Sequence, residues 1–253
     1  MQHILKYFTK TIVILTAFSA FSQEADTIVT TDTIAAEKLV KKERYGIRVG
    51  VDLNKLSRRF YIDDYSGIEL VADYRLTKKF YVAGEIGSED YTIDDNQVNF
   101  TAKGSYLKIG FDYNAYENWL DMENMIYAGM RYGISSFSQN LNSYEIYDNR
   151  AIQDNESYFE TVTIYPDREY SSLSAHWVEV IGGIKAEVFD NLFIGFSVRL
   201  NILLSENKPD NFDNLYIPGF NRTYAGSFGA GFNYTVSYFI PLYKKAAKTK
   251  KDK

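Results

Sequence analysis

No cysteine occurs in the 253 residues, which excludes disulfides, thiolate metal sites and an acylated cysteine behind a signal sequence. No glycine-rich phosphate loop, no metal-binding spacing of histidines and no calcium-loop pattern occurs either, so neither cofactor nor metal is expected. A mean hydropathy of −0.29 leaves no room for a bundle of apolar transmembrane helices. The charge balance is acidic, −5 with an isoelectric point near 5.2, which argues against a nucleic-acid partner. Proline is scarce, four residues against 22 Tyr and 17 Phe. That aromatic load with so few helix and strand breakers favours β structure.

What is present is a period of two. From Leu192 to Leu204 every second residue is apolar, while Gly195, Ser197, Arg199 and Asn201 share the other phase with Phe193 and Leu203. Side chains in a strand alternate between faces, so this segment has one oily face and one face with a charge at its middle. The pattern recurs about eight times at lengths near ten residues, which suits tilted strands crossing a bilayer. The segments are Tyr45 to Leu53, Gly67 to Tyr74, Phe80 to Ser88, Gly104 to Tyr113, Met125 to Phe137, Ala175 to Val188, Leu192 to Leu204 and Thr223 to Ile240. The expected fold is all-β: a closed antiparallel eight-stranded up-and-down transmembrane β-barrel with long outer loops and short periplasmic turns. Stretches 54–66, 89–103, 138–174 and 205–222 read as the long outer loops; 75–79 and 189–191 read as short turns, and 114–124 as a periplasmic connection of intermediate length.

The polar phase carries Arg48, Lys108, Arg131, Lys185 and Arg199 with Asp52, Glu69, Asp73, Glu85, Asp112, Glu179 and Glu187. A buried charge is tolerated only when paired and hydrogen-bonded, so these residues predict a mixed-sign salt-bridge network filling the lumen. Eight strands enclose about enough space for side chains and no open channel. A soluble lipocalin-like barrel would need the apolar phase inside. Aromatics near strand ends, Tyr45, Tyr74, Phe80, Phe111, Tyr113, Trp119, Tyr132, Phe137, Trp177, Phe189 and Tyr238, predict girdles at the headgroup level. Phe193 and Leu203 are expected to fill space at the rims.

Residues 1–22 combine Lys6 and Lys10, an apolar run from Thr11 to Phe21 too short to span a membrane, and the small residues Ala20 and Ser22. This is a secretory signal with cleavage expected near Ser22. Residues 23–44, rich in threonine and charge, read as a flexible periplasmic leader; 45–243 is the barrel; 244–253, rich in lysine, is a basic periplasmic tail.

The chain thus resembles the small eight-stranded outer-membrane barrels of Gram-negative bacteria, within the uncharacterised outer-membrane-β-barrel families. The resemblance spans Tyr45 to Tyr243 and rests on strand pattern, so it implies architecture and location in the cell outer membrane rather than an activity. The expected role is structural or surface-interacting and non-enzymatic. Its binding candidates on the fifth loop are Tyr144, Tyr147, Tyr158, Phe159, Tyr165 and Tyr170, because tyrosine-rich loops on a rigid scaffold make good binding surfaces. Expected partners are outer-membrane lipid and lipopolysaccharide, and an extracellular or periplasmic protein. The alternatives are a subunit of an envelope secretion or assembly machine, docking through leader and tail, and a lipid-modifying enzyme built on His176 beside Ser174. The latter pair lacks an orienting group and an oxyanion donor.

Overall fold

The computed structural model describes residues 42–116, 123–148, 160–209, 213–221 and 226–246. The expectations placed on 1–41, and on Trp119, Tyr158 and Phe159, lie outside them. Nine strands and one short helix are described: β1 (Lys42–Asp52), α1 (Leu53–Arg58), β2 (Tyr65–Arg75), β3 (Phe80–Asp95), β4 (Val98–Asn114), β5 (Met125–Asp148), β6 (Glu160–Ile164), β7 (Arg168–Phe189), β8 (Leu192–Glu206) and β9 (Phe228–Ala246). All pairings are antiparallel, and β1, β2, β3, β4, β5, β7, β8 and β9 follow one another around a closed ring. Closure removes the sheet edges as far up as β1 reaches, at Val51 and Asp52. β6 pairs only with β5, where β5 rises past the rest of the ring.

In the half of the ring nearest the short turns, the alternation runs as the sequence predicts. On β4, Leu107, Ile109 and Phe111 are exposed while Tyr106, Lys108 and Asp112 are buried. On β8 the exposed Ile194, Phe196, Val198 and Leu200 alternate with the buried Phe193, Ser197 and Arg199. Toward the other end the phases exchange character. Ser88, Ser105, Ser136 and Ser174 are direct partners across β3, β4, β5 and β7. Beyond this row the outward positions turn polar, as Asp90, Lys103 and Asn140 show, and the inward ones turn apolar, with Ile93, Phe100, Ala102, Leu141 and Leu173 buried. One strand therefore presents oil outside in its lower part and inside in its upper part.

This exchange explains where the strands outrun their expected ends. Stretch 89–103, read as a loop, is strand on both sides of a two-residue turn at Asn96 and Gln97. Stretch 138–174 is largely the upper part of a hairpin made by β5, β6 and β7. β9 continues to Ala246 and pairs Lys244 and Lys245 with Arg44 and Glu43, so the first tail residues and the last leader residues belong to the wall. Trp177 and Phe137, expected in a girdle, are buried inside the upper ring. Tyr45 is also buried, stacked on Tyr243 with centroids 5.4 Å apart and covered by Arg75 at 5.0 Å. Phe80, Phe111, Tyr132, Phe189 and Tyr238 are exposed on the outer face.

Two segments expected to be outer loops fold back onto the barrel. β1 stops at Asp52, whose side chain accepts a hydrogen bond from the Asn54 amide at 2.7 Å and so caps α1. Residues 213–221, within the expected seventh loop, insert into the mouth: Tyr216, Ile217 and Phe220 are fully buried, and Phe220 meets Trp177 edge to face at 5.9 Å. The insertion supplies the apolar filling that the upper walls require, in one cluster with Tyr106, Phe137, Leu173 and Ala175. Its turn needs Gly219, at φ +84°, where a Cβ would also lie 2.5 Å from the Tyr106 ring. Gly219→Ala should destabilise the fold by about 1–2 kcal/mol from the backbone strain alone and so lower the thermal midpoint, whereas Gly182→Ala, whose Cβ meets nothing within 4 Å, should leave it unchanged. Thermal unfolding followed by circular dichroism checks both.

Candidate functional site

Every charged residue of the inward phase points into the ring, and the network forms tiers. Lys108 lies 3.4 Å from Glu69, 3.4 Å from Glu85 and 3.2 Å from Glu179. Arg199 bridges Glu85 at 2.5 Å and Glu179 at 3.0 Å, and Arg131 reaches Asp112 at 2.8 Å and Glu85 at 3.4 Å. Glu85 thus faces three cations and Lys108 faces three carboxylates. One tier lower, Asp73 holds Arg48 at 2.9 Å and Lys185 at 2.7 Å, and Lys185 reaches Asp112 at 3.6 Å. Charge alternates through the stack, so each ion loses water but gains close partners of opposite sign. Arg48 also lies over the Phe193 ring at 4.8 Å and the Tyr81 ring at 5.2 Å, which places Phe193 as space filler at the lower rim.

Asp52 takes a different role from the ion pairing expected of it. It caps α1 and accepts a hydrogen bond from Asn233, whose amide also reaches Glu69 at 3.1 Å. Glu187 sits at the short-turn rim with Arg44 at 3.0 Å and accepts from the backbone amides of Glu123 and Asn191. Arg44, Arg75 and Glu123 complete that rim, and the expected strand limits left all three out.

At the opposite end Glu89 is a second hub. Its carboxylate accepts from Lys55 at 2.7 Å, Tyr65 at 2.5 Å, Tyr216 at 3.0 Å and the Gly219 amide at 2.7 Å, joining α1, β2, β3 and the inserted segment. Burial and the adjacent carboxylate push the Tyr216 hydroxyl well above the ordinary phenol range, so it stays a donor. Glu89 and Lys55 lay in stretches read as loops; the signal that could have found Glu89 is its phase with Glu85.

The surface candidates among the described residues lie on separate arms. Tyr144 and Tyr170 are partly buried on the β5 and β7 arms, Tyr165 is exposed between β6 and β7, and the side chain of Tyr147 lies outside the described residues. His176 is on the outer face, its Nδ1 3.2 Å from the Tyr132 hydroxyl. No group of three or more His, Asp or Glu that could hold a metal occurs among the described residues.

The network predicts an asymmetry between buried and exposed pairs. Glu85→Ala, which strands three buried cations, should cost about 3–5 kcal/mol or prevent folding, while Lys103→Ala, which opens an exposed pair with Asp90, should cost less than about 1 kcal/mol. Equilibrium unfolding in denaturant reads the difference; equal costs would contradict the buried network.

No curated protein sequence matches this chain. Among solved structures it is similar to the crystal structure of Ail, the attachment invasion locus protein of Yersinia pestis, at 8% identity and a TM-score of 0.37, with 78% of this chain and 97% of that one covered. A TM-score of that size bears on neither fold nor role, and the closed ring rests on the strand pairing alone. The profile of a domain of unknown function, DUF6048, matches residues 4–245, and the chain belongs to that family.

Proposed function

We propose that this protein is an outer-membrane β-barrel of structural or surface-interaction type, without enzymatic chemistry, exported by residues 1–22 and presenting its long hairpins outside the cell. The observation that supports this reading is the belt of exposed apolar side chains that runs around the closed ring below the serine row. Ile109 is 58% exposed, Ile184 51%, Val198 53% and Leu200 62%, while the matching inward positions hold charge. A soluble protein rarely leaves a contiguous apolar patch beyond a few hundred Å² uncovered. A belt that circles the whole ring leaves acyl chains as its natural neighbour. From Leu192 to Leu204, at roughly 3.3 Å per residue and an inclination of about 45°, the strand would rise close to 28 Å, near the thickness of a bilayer's hydrocarbon core.

Among the described residues the lumen is filled by buried side chains. A cavity of about 30 Å³ between Arg48, Asp73, Glu85 and Lys185 has room for little more than a water molecule. Function then belongs to what projects beyond the belt: the hairpins of β3 with β4 and of β5 with β6 and β7, carrying Tyr144, Tyr165 and Tyr170. These meet lipopolysaccharide or a protein outside the cell, as a rigid scaffold presenting aromatic side chains.

Two measurements test this. An epitope inserted after Asp148 should bind antibody on intact cells, and one inserted after Asp190 only after permeabilisation; the reverse would contradict the orientation. Purified protein in a planar bilayer should produce no steady ohmic conductance, and a persistent open pore would contradict the filled lumen.

A further inference from the structure

The ring has a breach. β1 pairs with β2 only as far as Val51 opposite Leu70, and with β9 only as far as Asp52 opposite Thr235. β2 continues upward to Tyr65 and β9 to Phe228, each paired on its far side only. Between them lies α1 in place of a strand, donating from Asn54 Nδ2 to the Phe232 carbonyl at 2.7 Å and joining Ser57 to the Tyr234 hydroxyl. A cleft of about 670 Å³ remains beside the helix. That is the size of a ligand site.

The cleft lies at the level where the outer wall changes from apolar to polar, since Ser88 of the serine row pairs with Ile68 of β2. Its lining changes in the same way. Phe232 and Ala230 of β9, both exposed, continue the apolar belt into it, while Tyr61, Tyr91, Asp94 and Asn221 line the rest. Arg58 is its one cation among the described residues; it stands 4.1 Å over the Tyr65 ring and 3.9 Å from Glu89. Asp94 and Asp95 outnumber it, so the lining is net negative and disfavours a bare phosphate. Carboxylate, carboxamide and phenol groups around an exposed aromatic ring suit hydroxyls and the flat face of a sugar.

We propose that this breach seats one glycolipid of the surrounding leaflet, its sugar hydroxyls on Asp94, Asn54 and Asn221, a sugar face against Tyr61, and its acyl portion along Phe232. The proposal rests on the membrane-spanning reading above. It adds a defined lipid class and a defined seat, and it accounts for a polar strand edge at the lipid boundary, where open backbone groups are otherwise costly.

The test uses the full chain in nanodiscs of phosphatidylethanolamine and phosphatidylglycerol, with an uncharged digalactosyl diacylglycerol as the added probe, in keeping with the net negative lining, and its deacylated oligosaccharide as a second arm. Native mass spectrometry should show one digalactosyl diacylglycerol retained per barrel, in preference to phosphatidylglycerol and to the free oligosaccharide. Tyr61→Ala and Asp94→Asn, both at exposed side chains, should each weaken retention about tenfold, and Tyr165→Ala should not. Retention insensitive to the first two variants, or phosphatidylglycerol or the free oligosaccharide held equally well, would overturn the glycolipid seat and leave the membrane reading standing. A chain that enters no nanodisc would overturn both.

Discussion

The fold depends on placing ions of both signs inside a ring too narrow for water to solvate them. Glu85 among Arg199, Arg131 and Lys108, and Asp73 between Arg48 and Lys185, are affordable only because each carboxylate faces guanidinium or ammonium groups at contact distance. The register of each strand that carries one of these ions is constrained by this. A slip of one residue would send a charged tier to the outer face and an apolar row inside. Below the serine row the exterior is correspondingly apolar.

The same constraint relaxes above the serine row. There the interior is filled by Trp177, Phe137 and Leu173 from the walls and by Ile217 and Phe220 from the inserted segment, with Glu89 tying that segment to α1 and β2. Two kinds of core thus share one cylinder, ionic below and apolar above. The switch between them coincides with the change in outer surface from apolar to polar.

Much of this was legible in the sequence because period-two alternation depends on which side of a strand meets which solvent. The ring of eight, the inward set from Arg48 to Arg199, and the outward rows of β4 and β8 follow from it directly. The upper strands were missed because the reading required apolar residues to point outward. Asp90, Thr92 and Asp94 break that rule while continuing the strand, so 89–103 looked like a loop. The inserted segment was missed for a different reason: nothing local in Tyr216 to Phe220 tells an apolar turn exposed at a rim from one buried in a mouth. Arg44, Arg75, Glu123 and Lys55 were lost at strand ends, where one or two residues decide whether a side chain is counted inside.

The direction in which the two phases face is the claim on which the rest stands, and the absence of cysteine makes it directly measurable. Single cysteines at Ile109, Val198 and Leu200, and at the inward Ser135 and Ser197, labelled with a nitroxide in reconstituted bilayers, report the balance of collisions with oxygen, which partitions into lipid, and with a water-soluble nickel chelate. The account predicts high oxygen and low nickel accessibility at the first three positions, and low accessibility to both at Ser135 and Ser197. Nickel access to Ile109, Val198 and Leu200 would show those faces wet and contradict it.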